Sequence, residues 1–126
     1  MQTLKYSTEI DMQKIDDQIV TALEGGSNYW YYIKEKNVKT PDNFVRNENI
    51  HYEFLDKIYQ GSTMEVCDKE DGAKLGELNL TTIQSGLEKM QHEYKNHFAD
   101  LIDETGDATT ADVFFQLCIM NEITFG

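Results

Sequence analysis

The sequence predicts an α+β fold in which four or five helices pack on a small antiparallel sheet that includes a hairpin over residues 63–80. Three observations point there. Ile15, Ile19 and Leu23 recur four apart, the spacing of one helical face. Ile83, Leu87, Met90, Tyr94, Phe98, Leu101 and Ile102 hold a longer face of the same kind, over about five turns. Between these runs, apolar residues alternate on both sides of Asp71-Gly72, a turn pair that favours a hairpin. A chain of 126 residues builds one core without staples, so residues 1–126 are expected to form a single domain.

The elements follow in chain order. Thr3–Ile10 alternates loosely and predicts an opening strand with Leu4, Tyr6 and Ile10 on its apolar face. Asp11 is placed to cap the first helix, and Asp16 and Asp17 are expected on its solvated side. Leu23-Glu24 closes this helix, and Gly25 is the residue expected at positive φ. Val38–Asn43, which holds the only proline, Pro41, reads as a surface loop. Ile50, Phe54, Leu55 and Ile58 suit a helix capped by Asn47 or Asn49 and ended by Gly61. Two strands follow, Thr63–Cys67 and Leu75–Leu80, with Gly76 marking a bulge. Thr81 or Thr82 caps the longest helix, and Gly106 ends it. Within it, Gly86 costs roughly 1 kcal/mol against Ala and permits close packing. A last helix starts at Thr109 or Thr110 and runs through Phe114, Phe115, Leu117 and Cys118, and Glu122–Phe125 is expected to add a strand.

Charge narrows the function classes. Twenty-three acids against eleven bases give a net charge of −12. Such a field opposes direct binding to nucleic acid or an anionic membrane and suits a basic protein partner. The acids are uneven: residues 81–126 hold eight acids and two bases, whereas 25–61 hold five of each and eight of the fourteen aromatics. A small anion is therefore tolerated in the middle of the chain and a polyanion repelled along its last third. No apolar run approaches membrane-span length, and Met1–Tyr6 lacks the apolar core of a signal peptide. Cys67 and Cys118 are far apart in sequence and fit a reducing, cytoplasmic setting.

The densest chemistry lies in Ala22–Tyr32. Gly25 and Gly26 open the backbone to close approach, Ser27 can cap a following turn, and Asn28, Tyr29 and Trp30 add polar and flat surfaces. Tyr29 to Tyr32 are expected to fan around a helical turn. Two readings compete for this corner: a cradle for a small nucleotide-like ligand, or a capped turn whose aromatics pack on the core. It is not a phosphate loop, because no Gly-Lys-Ser/Thr follows the glycines. Ala22-Leu23-Glu24-Gly25-Gly26 followed by Tyr29-Trp30 resembles short, largely uncharacterised phage and prophage proteins. The closing run Ala111-Asp112-Val113 through Gln116 to Phe125-Gly126 is similar to theirs, although Met120-Asn121 departs from a more usual Phe-Gly. The resemblance implies a viral origin and no defined activity.

Other constellations fail on spacing. His92 and His97 are five apart, about 140° around a helix, where a zinc-protease helix needs them four apart. Reading Gly72 as the sixth position of a calcium loop puts Cys67 first and Leu78 twelfth, where oxygen ligands belong. Asp103-Glu104 and Asp107 read as a solvated helix end that also caps the next helix. No catalytic group, metal site or cofactor is expected. The chain reads as a non-enzymatic binding protein of phage type that perturbs the host cell or its defences from the cytoplasm. In one mechanism Gly25 to Trp30 sequester a small nucleotide-like ligand. In another, an acidic face of Glu88, Glu93, Asp100, Asp103 and Glu104 mimics nucleic acid and blocks a host nuclease or a CRISPR-type complex. A third reading is a virion structural or assembly role.

Overall fold

The computed structural model describes residues 10–126, so the opening strand expected over Thr3–Ile10 falls outside the described residues except for Ile10, which lies in no strand and packs against the core. The rest is α+β: five α-helices and a three-stranded antiparallel sheet in the order β1-β2-β3.

Helix α1 spans Met12–Thr21, and Asp11 accepts a hydrogen bond from the Gln13 amide at its start, as expected of an N-cap. Asp17 is exposed, but Asp16 is buried, with the Tyr59 hydroxyl donating to its carboxylate at 2.6 Å. The expected solvated side therefore holds only in part. At Ala22 the helix widens into one π turn, Ala22–Gly26, closed by the Ser27 amide donating to the Ala22 carbonyl.

Two expectations fail here. Gly25 is not at positive φ, and open space surrounds the position its Cβ would take. The constrained glycine is Gly26, whose Cβ would lie 2.5 Å from the Ala108 carbonyl oxygen. The wider turn absorbs the change of direction that a left-handed cap would have made. Tyr29 to Tyr32 do not fan around a helix either: Tyr31–Ile33 form β1, paired to β2 with Tyr31 opposite Asp68 and Tyr32 opposite Cys67. A strand sends neighbouring side chains to opposite faces, which separates half-buried Tyr31 from exposed Tyr32.

The loop at 38–50 is held down at three points. Val38 is buried, Ser62 donates to the Lys39 carbonyl, and Arg46 reaches Asp56 at 3.0 Å. Helix α2, Glu53–Tyr59, starts later than expected and without an Asn cap, because Asn47 instead accepts from the Asn49 amide in a local turn. Its end is marked by Gly61 at φ 123°.

The hairpin forms, although its second strand ends at Leu78 and Leu80, expected in it, opens the next helix. Strands β2, Met64–Asp68, and β3, Lys74–Leu78, flank a turn with Gly72 at φ 74°. The register slips beside Gly76, which opposes Val66 while Lys74 opposes Cys67. Gly76 has a second role: a Cβ there would meet the Ile119 carbonyl at 2.1 Å, so this glycine admits the last helix to the sheet.

The longest expected helix is two. Helix α3, Leu80–Glu93, begins at a capping box in which Asn79 is the cap and Thr82 its partner. Tyr94, at φ −132° and ψ 55°, breaks the run before α4, Lys95–Asp103, which ends at left-handed Glu104, ahead of Gly106. An unbroken helix over 83–102 would run about 30 Å; the break lets both halves pack on α5, Ala108–Met120. Gly86 allows that contact, since a Cβ would sit 2.7 Å from the Cys118 amide. Asp107 caps α5 through the Thr109 and Thr110 amides. Asn121 at φ 60° ends α5, a left-handed conformation that asparagine accepts.

Helix α5 is the centre of the core, with Phe114, Phe115, Leu117 and Cys118 all buried. Residues 122–126 form no strand: the Thr124 and Phe125 amides both donate to the Gln116 side-chain carbonyl, each at 2.9 Å. A glutamine of α5 takes the place of a partner strand. Among the described residues no helix is long and apolar enough to cross a membrane.

Candidate functional site

Beyond its opening threonines α5 is apolar except for Asp112 and Gln116, which stand four apart and so share one face. Asp112 gathers the Gly-Gly corner. Ser27 Oγ and Trp30 Nε1 donate to its Oδ1 at 2.7 and 2.8 Å, and Tyr29 Oη and Gln116 Nε2 donate to its Oδ2 at 2.6 and 3.1 Å. The Gln116 amide nitrogen also donates to the Phe125 carbonyl at 3.1 Å. Trp30 is 2% exposed, stacked on Phe125 with centroids 5.2 Å apart and flanked by Phe115 at 5.4 Å. Two stretches far apart in sequence, one before residue 33 and one after residue 110, thus meet around a single carboxylate.

This geometry divides the predicted site residues. Ser27 is buried and spends its hydroxyl on Asp112 rather than on capping a following turn. Gly26 is pressed against Ala108. Trp30 belongs to the core. Asn28 is exposed, and its carbonyl accepts from Lys69 Nζ at 3.0 Å. Gly25 and Tyr29 face solvent as Asn28 does. They line an open groove of ≈ 430 Å³ with Asp112, Val113, Ile123 and Phe125 among its walls. Desolvation of the Tyr29 hydroxyl, then its bond to Asp112, pushes the phenol up to about 12. The ring is thereby held by its hydroxyl while 48% of the residue remains exposed. The groove's one charged side chain is a carboxylate, so it favours a neutral planar group over a phosphate.

The acidic residues lie on two helices. Glu88 and Glu93 are on α3, Asp100 and Asp103 on α4, and Glu104 at the end of α4. Lys89 pairs with Glu93, and Thr105 Oγ1 donates to Asp100 at 3.2 Å. Among the described residues Glu88, Asp103 and Glu104 are exposed and in no ion pair. Cations on the same helices are Lys89 and Lys95, with His92 and His97 beside the break.

Burial holds the Cys118 thiol far above its ordinary range, which makes it inert. Among the described residues no three His, Cys, Asp or Glu side chains assemble as a metal would require. Sequence reading missed Asp112 and Gln116 as organisers, although two polar residues four apart in an apolar helix are a usable signal of a buried polar seam. It also missed a hollow of ≈ 220 Å³ beside β1 and β2, lined by Tyr32, Lys34, Val38, Met64, Glu65 and Cys67 among others.

Compared with protein-family models, curated proteins and solved structures, the chain matches none.

Proposed function

We propose that this chain is a non-enzymatic binding protein of phage type that docks on a basic surface of a host protein in the cytoplasm, through the acidic residues of α3 and α4. The observation that carries this reading is the contrast between the two candidate sites. The polar groups of Ser27, Tyr29 and Trp30 are all spent on Asp112, whereas Glu88, Asp103 and Glu104 are exposed and in no ion pair among the described residues, Glu88 accepting only from Gln84 Nε2 at 3.2 Å. Unpaired acids on a −12 chain raise the encounter rate with a cationic surface and repel polyanions. A partner that normally holds nucleic acid fits that description, which is how an acidic mimic blocks a nuclease or a CRISPR-type complex. The test is capture from host lysate with wild type and with the Glu88→Lys, Asp103→Lys, Glu104→Lys triple variant. The expected result is a partner lost in the variant and released from wild type by salt. A partner retained equally by both sinks the reading.

One observation favours a second reading, a small base-like ligand at the Gly25–Tyr29 groove: the Tyr29 ring is half-exposed yet held by its hydroxyl. Stacking on such a ring contributes roughly 1–3 kcal/mol per base. Titration with adenosine and with adenosine monophosphate, on wild type and Tyr29→Ala, decides it. Saturable binding lost in the variant supports the groove; equal binding by both removes it.

A further inference from the structure

The hollow beside β1 and β2 has a different chemistry from either site above. Tyr31 and Ile33 pack toward the core, and strand alternation turns Tyr32 and Lys34 to the other face. There Tyr32 stands opposite Cys67 in the β1-β2 register. The 35–37 turn and Thr63 bring Asn37, Val38 and a hydroxyl to the rim. Glu65 also lines the hollow, with Lys74 Nζ 3.6 Å from its carboxylate and 3.4 Å from that of Glu77. Among the described residues, Lys34 makes neither an ion pair nor a side-chain hydrogen bond. An adjoining surface hollow shares Tyr32, Lys34 and Asn37 and adds Glu35 and Lys36. In a chain with more than twice as many acids as bases, a hollow lined by a lysine outside any described ion pair stands out.

We propose that this hollow is a binding site for a small planar anion: an aromatic ring against Tyr32, with its carboxylate or other acidic group on Lys34. Size sets the scale. Sites for drug-sized ligands run to roughly 300–1,000 Å³, so ≈ 220 Å³ suits a single-ring molecule. Charge sets the sign. Lys34 is exposed and lines the hollow, while the one acid in the lining, Glu65, already has a cation within 3.6 Å in Lys74, which it shares with Glu77. Asn37 and Thr63 supply neutral hydrogen-bonding groups that orient the acidic head. The Cys67 thiol forms part of the wall and is half-buried, which places a chemical reporter inside the site.

Two measurements test this, each on wild type, Lys34→Gln and Tyr32→Ala, with circular dichroism confirming that the variants fold. In the first, Cys67 is alkylated with iodoacetate and with iodoacetamide. In each reaction the thiolate sulfur attacks the methylene carbon, a C–S bond forms and iodide leaves, while buried Cys118 stays unlabelled. The reagents differ in charge, so the ratio of their rates reads the local field. That ratio should fall roughly threefold in Lys34→Gln, the effect of one charge about 6 Å away in water. Salicylate should protect Cys67 saturably in wild type and fail to do so in Lys34→Gln. The second measurement is ligand-detected NMR with salicylate, which reads the site without the thiol: saturable binding, weakened in both variants and by salt, is expected. An unchanged rate ratio in Lys34→Gln, labelling that salicylate does not slow, or NMR binding equal in wild type and Lys34→Gln overturns the proposal. None of these readouts touches Glu88, Asp103 or Glu104, so the acidic docking surface stands or falls separately.

Discussion

Asp112 is one residue on which four donors converge, three of them from residues more than 80 positions earlier in the chain. Removing the acceptor leaves the Trp30 indole N–H and the buried Ser27 hydroxyl without partners, and each unsatisfied buried group costs about 1–3 kcal/mol. Asp112→Ala should therefore destabilise by about 2–5 kcal/mol in urea denaturation; a loss under about 0.5 kcal/mol would mean that water replaces the carboxylate. The glycines beside it make a paired prediction. Gly26→Ala drives a methyl to within 2.5 Å of the Ala108 carbonyl and should cost on the order of 1–3 kcal/mol, the usual range of overpacking. Gly25→Ala meets nothing within 4 Å in a helical backbone, where alanine is favoured by up to about 1 kcal/mol. Melting curves of the two variants should shift in opposite directions, and a matching shift would contradict the assigned packing. Sequence could not rank these glycines. Both stand at a helix end, and only the return of α5, eighty residues later, decides which is crowded.

At the scale of elements, α1 and α2 are joined by the buried Asp16 carboxylate and the Tyr59 hydroxyl. Desolvation raises the Asp16 pKa above its ordinary value despite the Tyr59 bond, which lowers it. A carboxyl whose folded pKa is raised binds its proton more tightly in the native state. Its contribution to stability is complete below the unfolded value of 3.8 and is lost as pH rises through the folded value. Wild type should accordingly gain stability relative to Asp16→Asn as pH is lowered from 7 toward 4, measured as a difference in melting temperature. A difference that is flat, or that moves the other way, would show the carboxylate to be well solvated. Elements with local signals were legible: Asp11 and Asp107 at helix starts, and Asp71-Gly72 at the hairpin turn. Those missed depend on a distant partner. The α3–α4 break goes with the packing of both halves on α5, the β1 strand with pairing to β2, and the tail's lost strand with Gln116. The Lys34 hollow was invisible for the same reason, since its walls come from two strands and a turn.

For the whole molecule, charge is the property that sequence stated most completely, because counting acids needs no fold. Folding adds where the acids go. The described ion pairs engage Asp56, Glu53, Glu65, Glu77 and Glu93, a minority of the 23 acids. Among the described residues, exposed acids outside these pairs repel one another, and the Debye length shrinks from about 30 Å at 0.01 M to about 8 Å at 0.15 M salt. The melting temperature should rise by a few degrees, equivalent to about 1 kcal/mol or less, when sodium chloride is raised over that range. A fall would mean that the ion pairs contribute more than the repulsion.

The stacking of Trp30 on Phe125 gives the molecule a built-in optical gauge. The chain has one tryptophan, so its emission has a single source, and that source is closed off by the tail that Gln116 holds in place. In the folded protein the indole should emit in the blue, apolar range. If the 122–126 tail lifts before the core opens, the emission will move toward longer wavelengths while the circular dichroism of the helices is still intact. The two signals, followed together in denaturant, separate the undocking of five residues from the unfolding of the rest.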